Sequence, residues 1–252
     1  MDINETGKEL KSRHPWELSR TKCMLEVISR YLFVIHDDDK GKRYINVGAG
    51  DLYFDHVLLE EYKKDIVYAV DIGYQHGEES IQQREKKFRY LEEIEESDFD
   101  YAIMMDSLEY MEDDAEYVKR LGDVVKENGY LFFTLPAFQK LYSEHDVIVK
   151  NLRRYDRKSF GKIIGGISEL EVVEAHYFYF SLLCVRWIQK TLHMRIDPEH
   201  KVTTGWKLGE KSLLTKLVTG CLNLDFVIVR ILSRIKIFLP GLSLLVVCRK
   251  KG

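Results

Sequence analysis

The feature that most constrains this 252-residue chain is a short apolar run that enters a glycine turn, YINVGAGD (44–51). A second apolar run, IVYAVD (66–71), follows it and ends in a carboxylate, and YAIMM (101–105) and YLFFTLP (130–136) repeat the apolar pattern. Strands of parallel sheets have this near-continuous apolar character because both of their faces are buried. The four runs therefore predict a parallel sheet.

Helical patterns separate these runs. Apolar residues recur at helical spacing over 7–34, and 54–63 predicts a helix after the glycine turn. Asp113 and Glu116 form a capping-box signature, and Gly129 is interpreted as the stop of the helix that begins there. Strands that alternate with helices at this spacing predict an α/β fold with a doubly wound, mostly parallel sheet.

The C-terminal part interrupts the alternation. LEVVEAHYFYF (170–180) and GLSLLVVCRK (241–250) predict two more strands, and the last one is expected to return antiparallel to the sheet. About 60 residues of helical pattern lie between them, which is too long for an ordinary loop. We therefore expect a sheet domain formed by 1–180 plus 240–252 and a helical insertion at 181–239.

Cysteine usage and the N-terminus bear on the compartment. The cysteines are far apart and form no close pair, which fits neither a disulfide framework nor a zinc site. They are Cys23, Cys184, Cys221 and Cys248. With the polar N-terminus, which lacks the pattern of a signal peptide, they predict a cytoplasmic protein without a bound metal.

Charge is distributed unevenly along the chain. Residues 182–252 carry 13 Lys and Arg against 4 Asp and Glu, whereas 1–181 carry 25 against 37. A basic end can meet an anionic lipid, a nucleic acid or an acidic substrate, or it can be a solvated helix face. Charge alone does not decide between these interpretations.

The glycine turn and the carboxylate after the second strand indicate a nucleoside cofactor. Gly48 and Gly50 allow a sharp turn and a close approach of the backbone to a ligand. Asp71 ends the neighbouring strand, where it can accept hydrogen bonds from ribose hydroxyls. A dinucleotide requires a third glycine where Tyr53 stands, and neither a Tyr-x-x-x-Lys pair nor a Gly-Lys-Ser/Thr segment occurs. These absences argue against NAD, NADP and P-loop nucleotides.

Five segments carry a more specific resemblance by their order and spacing. They are VGAG (47–50), VD (70–71), FDYAIMMDSLEYMEDD (99–114), GYLFFTLPA (129–137) and LRRYDRKSF (152–160). The set resembles class I S-adenosylmethionine-dependent methyltransferases, and most of all their small-molecule and glycan-locus branch. The resemblance covers roughly residues 14–250 and implies a Rossmann-like fold with S-adenosylmethionine as cofactor.

The resemblance implies a cofactor site at the ends of three strands. Its members are Gly48, Ala49 and Gly50 for the methionine part, Asp71 for the ribose, Ile72 for the adenine, and Asp106, Ser107 and Leu108 for the sulfonium side. Three positions depart from the family pattern. Asn46 replaces a common acidic residue, Leu52 replaces the third glycine, and Tyr110 replaces a histidine.

His145 is the candidate general base, because it follows the strand end at Pro136 by nine residues and is expected over the cofactor. Asp146 is expected to orient the imidazole or to bind an acceptor hydroxyl. In the alternative interpretation, His145 is an ordinary polar loop residue.

The residues assigned to the acceptor are Arg153, Arg154, Tyr155, Trp16 and Arg20. Arginine suits bidentate contacts with phosphate or carboxylate, which favours an anionic or sugar-bearing acceptor. Alternatively, one of the two neighbouring arginines pairs with a local acid such as Asp156, and Trp16 anchors the first helix in the core.

Residues 212–239 form an apolar stripe that charges interrupt too often for a bilayer span. One hypothesis is packing on the sheet domain or on a second subunit in a homodimer. The other is an interfacial helix at an anionic membrane surface, which would place the protein peripherally at the inner face of the membrane, near a lipid-linked acceptor.

The leading functional hypothesis is methyl transfer to a small-molecule, glycan or lipid-linked acceptor, at oxygen. The alternative, motivated by the three departures, is a non-catalytic interaction module that retains the methyltransferase fold. A nucleic-acid partner ranks below both, since no Asn/Asp-Pro-Pro-Tyr segment occurs.

Overall fold

The computed structural model describes residues 13–35, 41–71, 74, 87–91, 93–191, 206 and 208–252. The predicted start of the first helix at 7–12 and the predicted adenine contact Ile72 lie outside the described residues.

The described part contains seven strands, seven α-helices and two short 3-10 helices. The strands are β1 (Arg43–Val47), β2 (Ile66–Val70), β3 (Phe88–Leu91), β4 (Phe99–Met105), β5 (Val125–Pro136), β6 (Leu170–Phe178) and β7 (Ser243–Lys250). The helices are α1 (Pro15–Ile35), α2 (Tyr53–Glu61), α3 (Asp114–Val124), α4 (Glu144–Ile148), α5 (Arg157–Gly165), α6 (Phe180–Thr191) and α7 (Leu213–Arg234). The 3-10 helices are Leu108–Tyr110 and Gln139–Leu141.

The strands form one sheet in the order β3-β2-β1-β4-β5-β7-β6. β1 to β5 pair in parallel with one another, whereas β7 runs antiparallel to both β5 and β6. This confirms the predicted α/β fold with a mostly parallel sheet and an antiparallel last strand. The strand order reverses between β1 and β4, and ligands of such sheets bind outside the carboxyl ends of the strands at that point.

Helices cover both faces of the sheet, as the apolar character of the strands predicts. Val118 of α3 and Phe160 of α5 belong to the core on one face. Val27 of α1, Leu58 of α2 and Phe226 of α7 belong to the core on the other face. The described part of the predicted insertion therefore contributes to the core of the sheet, and the division of the chain at 181–239 stays a prediction. Within the described residues, no helix combines the length and the apolar character needed to cross a bilayer.

The prediction for Gly129 was wrong. α3 begins as expected, with the Asp113 carboxylate accepting a hydrogen bond from Glu116 N at 2.9 Å, but it ends at Val124. Gly129 lies inside β5, where a Cβ atom would approach the carbonyl oxygen of Asp100 to 2.7 Å. The glycine is thus required by a close approach of β4 and β5, not by the end of a helix.

A buried polar network joins the first strand to the helix after the glycine turn. The rings of Tyr44 and Tyr101 stack with centroids 4.9 Å apart, and both side chains are buried. Tyr44 donates a hydrogen bond to Asp55 Oδ1 at 3.1 Å, and Asn46 Nδ2 donates to both carboxylate oxygens of Asp55, at 3.0 and 2.9 Å. Burial raises the pKa of Asp55 to about 7, although the hydrogen bonds from Asn46 and Tyr44 lower it in part.

This raised pKa predicts a specific pH dependence of stability. A carboxyl whose pKa is higher in the folded state stabilises the fold fully below its unfolded pKa, and that contribution is lost as the pH rises through the folded pKa. Relative to Asp55→Asn, we expect the wild type to lose about 2–4 kcal/mol of unfolding free energy between pH 4 and pH 7. Urea unfolding of both proteins across this range measures the difference. The exposed Asp123→Asn variant is the control, and a difference independent of pH would contradict the raised pKa.

Candidate active site

The carboxyl ends of β1, β2 and β4 meet at the glycine turn. Gly48 and Gly50 have φ values of 73° and 57°, and Gly48 N donates a hydrogen bond to Val70 O at 2.8 Å. A Cβ atom at Gly48 would lie 2.0 Å from Ser107 Oγ, and Ser107 Oγ donates to Met105 O at 3.0 Å. Only glycine is compatible with both the backbone angle and this contact.

Asp71 lies beside the same turn. Its carboxylate accepts a hydrogen bond from Gly50 N at 3.0 Å, and Tyr74 donates to Gly50 O at 2.9 Å. A carboxylate has several acceptor positions, so the bond from Gly50 N is compatible with further bonds from ribose hydroxyls. The structure thus brings together the glycine turn and the predicted ribose ligand.

Leu52 keeps the conformation that a glycine would have at this position. It precedes α2 with φ 62° and ψ 8°, in the left-handed region, and its side chain is buried. A non-glycine residue pays about 1–2 kcal/mol for this conformation, and burial of the side chain offsets that cost. The departure at Leu52 therefore changes the side chain and leaves the backbone path of the turn intact.

Arg13 and the first turns of α1 contact the residues that follow β1 and β4. Arg20 forms an ion pair with Asp106, and its guanidinium carbon lies 4.3 Å from the ring centroid of Trp16. Arg13 pairs with Asp51 at 2.7 Å and lies over the ring of Tyr53. The structure thus places Trp16 and Arg20, both assigned to the acceptor, next to Asp106 at the end of β4.

Asp146 is buried and fully engaged by its neighbours. Its carboxylate accepts hydrogen bonds from Ser143 N at 2.8 Å, Ser143 Oγ at 3.1 Å, Asn151 Nδ2 at 3.1 Å and Arg154 Nε at 2.8 Å. Burial raises the pKa of Asp146, but the hydrogen bond and charge of Arg154 outweigh this effect and hold the pKa below its ordinary value. The contacts of Asp146 position the segment between α4 and Arg154.

His145 precedes this residue on the exposed side of α4. Partial burial and the positive charge of Arg186 lower the pKa of His145, although Asp146 raises it in part. Arg186 belongs to α6 and donates a hydrogen bond to Ser143 Oγ at 2.7 Å. The imidazole is therefore neutral at neutral pH, which is the form that a general base requires.

Both arginines of the Arg-Arg-Tyr segment pair with acids other than Asp156. Arg153 pairs with Asp114 at 2.9 Å, and Arg154 pairs with Asp146 at 2.8 Å. Asp156 instead accepts a hydrogen bond from Ser159 N and caps α5.

The third member of the segment, Tyr155, is buried beneath the end of β4. Its hydroxyl donates to Asp114 at 2.9 Å, and it lies 3.3 Å from Leu108 O. Tyr155 therefore ties the segment 152–155 to the loop that carries Leu108.

Glu109 is a candidate that the sequence analysis missed. Its side chain is 2% exposed, and its Oε2 atom has no hydrogen-bond partner among the described residues. Burial and the neighbouring charge of Asp106 raise the pKa of Glu109 well above its ordinary value, against the opposing charges of Arg20 and Arg154. A signal was present in the sequence, since Glu109 follows the assigned residues Asp106, Ser107 and Leu108 directly.

No group of three or more His, Cys, Asp or Glu side chains arranged to hold a metal ion occurs in the part of the chain that the structure describes.

Comparisons with known proteins identify the family. A family model described as a methyltransferase domain matches residues 18–183. The chain belongs to this family, the class I S-adenosylmethionine-dependent methyltransferases, and S-adenosylmethionine is its cofactor. Among curated proteins, no sequence matches this chain.

Solved structures show the same fold at low sequence identity. A provisionally named sarcosine dimethylglycine methyltransferase from Galdieria sulphuraria is 10% identical, with a TM-score of 0.56 over 93% of this chain and 86% of that one. The plantazolicin methyltransferase BpumL in complex with S-adenosylhomocysteine is 10% identical, with a TM-score of 0.55 over 93% and 85%. Coclaurine N-methyltransferase is 15% identical, with a TM-score of 0.50 over 91% and 70%.

The residues at the glycine turn fit this cofactor. Gly48 and Gly50 hold the turn in a left-handed backbone that leaves no side chain on it, and Asp71 accepts a hydrogen bond from Gly50 N at the end of β2. Both features accommodate a nucleoside with an amino-acid substituent.

The left-handed backbone at Leu52 yields a prediction. Both Leu52→Ala and Leu52→Gly lose the buried side chain, but only glycine removes the backbone strain. We expect Leu52→Gly to be about 1 kcal/mol more stable than Leu52→Ala in urea unfolding. At Val57, inside α2, the same two substitutions serve as control and should show the opposite order. An alanine variant more stable than the glycine variant at position 52 would contradict the strain.

Proposed function

We propose that this methyltransferase transfers the methyl group to the oxygen of a small-molecule or glycan acceptor, free or lipid-linked. The observation that carries the proposal is that the glycine turn, Asp71 and the loop of Asp106 lie together at the carboxyl ends of β1, β2 and β4. The acceptor class and the oxygen rest on the resemblance to small-molecule and glycan-locus enzymes and on the lowered pKa of the His145 imidazole.

In the proposed arrangement, the cofactor supplies an electrophilic methyl group, and the protein supplies position. Gly48, Ala49 and Gly50 hold the methionine part against the backbone, and Asp71 accepts from the ribose. Ile72 is assigned to the adenine by the resemblance. Asp106, Ser107 and Leu108 would border the sulfonium, where the acceptor oxygen has to approach in line with the bond that breaks.

His145 is proposed as the general base that accepts the proton of the acceptor hydroxyl. Its lowered pKa keeps it unprotonated at neutral pH, as the role requires. Asp146, which the sequence analysis expects to orient the imidazole, acts through position: its bonds to Ser143 and Arg154 fix the helix that carries His145.

The acceptor is proposed to lie between α1 and the segment 152–155. Trp16 and Arg20 are assigned to one wall, and Arg153 and Arg154 to the other, which Tyr155 supports from the core through its bond to Asp114. Glu109 is buried near Arg20 and Arg154, and its unbonded Oε2 atom suits a hydrogen bond to a hydroxyl of the acceptor.

The three departures from the family pattern favour an enzyme over a non-catalytic module. Asn46 bonds to the buried carboxyl of Asp55, so an acid at position 46 would place two carboxyls together. Leu52 preserves the turn, and Tyr110 is 45% exposed and does not fill the core of the site. Each departure is therefore accommodated without loss of the glycine turn.

Cofactor binding provides the first test. Asp71→Ala should weaken binding of S-adenosylhomocysteine about 100-fold in calorimetry, because two hydrogen bonds to a charged acceptor are lost. Asp123→Ala removes an exposed carboxylate from α3 and should bind as the wild type does. Equal affinity of the Asp71 variant and the wild type would place the ribose elsewhere.

The role of His145 is tested by its own titration. NMR of the imidazole should give a pKa below 6.5, and Arg186→Gln should raise it because a positive charge is removed. Lys158→Gln, an exposed change on α5, should leave it unchanged. A wild-type pKa above 6.5 would leave the imidazole partly protonated near neutral pH and contradict its assignment as base.

A further inference from the structure

Helix α7 has two apolar faces, and only one of them is covered. Leu222, Phe226 and Val229 are buried against α1 and β6. The other face is 46–82% exposed at each position; it consists of Leu213, Leu217, Leu224, Ile228, Ile231 and Ile235, and is called here the exposed stripe. Its spacing of three, four or seven residues keeps it on one side of the helix. A contiguous apolar surface of this kind marks an interaction site.

Positive charge runs alongside the exposed stripe. Lys216, Arg230 and Arg234 are separated by 14 and 4 residues, which places them in one line along the helix beside the stripe. Asp225 is the single acid within α7, and its carboxylate accepts hydrogen bonds from Ser181 N at 2.7 Å and Phe180 N at 3.2 Å. The negative charge of the helix is thus used to cap α6.

Two of these arginines also line a cavity of about 340 Å³ between α7, α1, β6 and the start of α5. Four guanidinium groups border it, from Arg30, Arg157, Arg230 and Arg234. Arg30 pairs with Glu174 at 3.2 Å, and Arg230 pairs with Glu26. Among the described residues, the side chains of Arg157 and Arg234 form no ion pair. We call this space the arginine cavity.

A buried histidine lines the arginine cavity. His176 is 2% exposed, its Nδ1 atom lies 3.3 Å from Glu174 Oε1, and neither of its ring nitrogens forms a hydrogen bond among the described residues. Glu174 also accepts a hydrogen bond from Tyr31 at 2.6 Å. The one carboxylate that lines the cavity is therefore already bonded to Arg30 and Tyr31, and unpaired donors remain for an anion.

We propose that the exposed stripe and the arginine cavity form one surface that docks on an anionic phospholipid membrane. In this arrangement, the apolar side chains of the stripe enter the bilayer interface, and the cavity takes the phosphate of a lipid headgroup. Arg230 and Arg234 line the cavity and also stand beside the exposed stripe on α7, so the phosphate site lies next to the inserted face. Guanidinium groups match phosphate oxygens in geometry as well as in charge.

Charge favours a lipid surface over a second copy of the chain. A symmetric dimer would pack the stripe on itself and bring its basic line near the same line of the partner. The acid of α7, Asp225, is already occupied by the backbone of α6. A surface of anionic lipid attracts each basic side chain and also accepts the apolar stripe.

The docking surface lies apart from the cofactor site. β6 forms one edge of the sheet, and β4, β5 and β7 separate it from β1. Membrane binding and cofactor binding can therefore be measured independently, and failure of one leaves the other standing.

The test is co-sedimentation of the full chain with vesicles of phosphatidylcholine alone or mixed with phosphatidylglycerol. We expect binding to the mixed vesicles only, and weaker binding at high salt. Ile228→Ser combined with Ile231→Ser should abolish it. Arg157→Ser and Arg234→Ser should each weaken it about fivefold.

Matched control substitutions remove the same types of side chain outside the proposed docking surface. Val147→Ser removes an exposed apolar side chain from α4, and Lys119→Ser removes an exposed cation from α3; both should bind as the wild type does. All the changed side chains are at least partly exposed, and thermal unfolding followed by circular dichroism establishes that each variant is folded.

Three outcomes would overturn the proposal. The first is equal binding to neutral and anionic vesicles, or binding to neither. The second is a concentration-dependent dimer that the double isoleucine variant dissociates, which would assign the stripe to a second copy. The third is calorimetric binding of inorganic phosphate that Arg234→Ser removes, without vesicle binding, which would assign the cavity to a soluble anion.

Discussion

The site depends on the absence of a side chain at position 48. Because Ser107 Oγ stands 2.0 Å from where a Cβ of Gly48 would lie, β1 and β4 can approach only through glycine. That approach sets the distance between the turn at the end of β1 and the loop after β4. The carboxylates of Asp71 and Asp106 stand on either side of it, and α1 reaches across to the second of them through Arg20. The remaining polar contacts of the site lie around this close approach of Gly48 and Ser107.

The sheet could be predicted because its information is local. Apolar runs such as 44–48 and 101–105 identify buried strands, and the glycine turn and Asp71 follow them at fixed positions. The sequence analysis failed where a residue's role depends on tertiary contacts. Gly129 resembled a helix stop, but a neighbouring strand requires it, and Glu109 became a candidate only when burial left its carboxyl without a partner. Likewise, the sequence could not show that Arg154 would occupy the carboxylate of Asp146.

The departure at Asn46 shows how a polar network can tolerate a change of residue type. The carboxyl group of the network lies on α2, at Asp55, and the amide on β1 donates to it. The hydroxyl of Tyr44 completes the arrangement, and stacking on Tyr101 fixes the ring. Substituting an amide for an acid in β1 is therefore compatible with an intact first strand, since the buried acid stands on the neighbouring helix.

The position of β7 has a consequence for the order in which the chain acquires its structure. β7 lies between β5 and β6, and among the described residues it is the one strand that pairs with β6. During synthesis, β1 to β5 emerge first and pair with one another, whereas β6 must wait for residues 243–250 before it has a partner. Until then β5 is an open edge, and premature pairing of β6 with it would have to be undone. The sheet can therefore be completed only when β7 has been synthesised and inserts between β5 and β6.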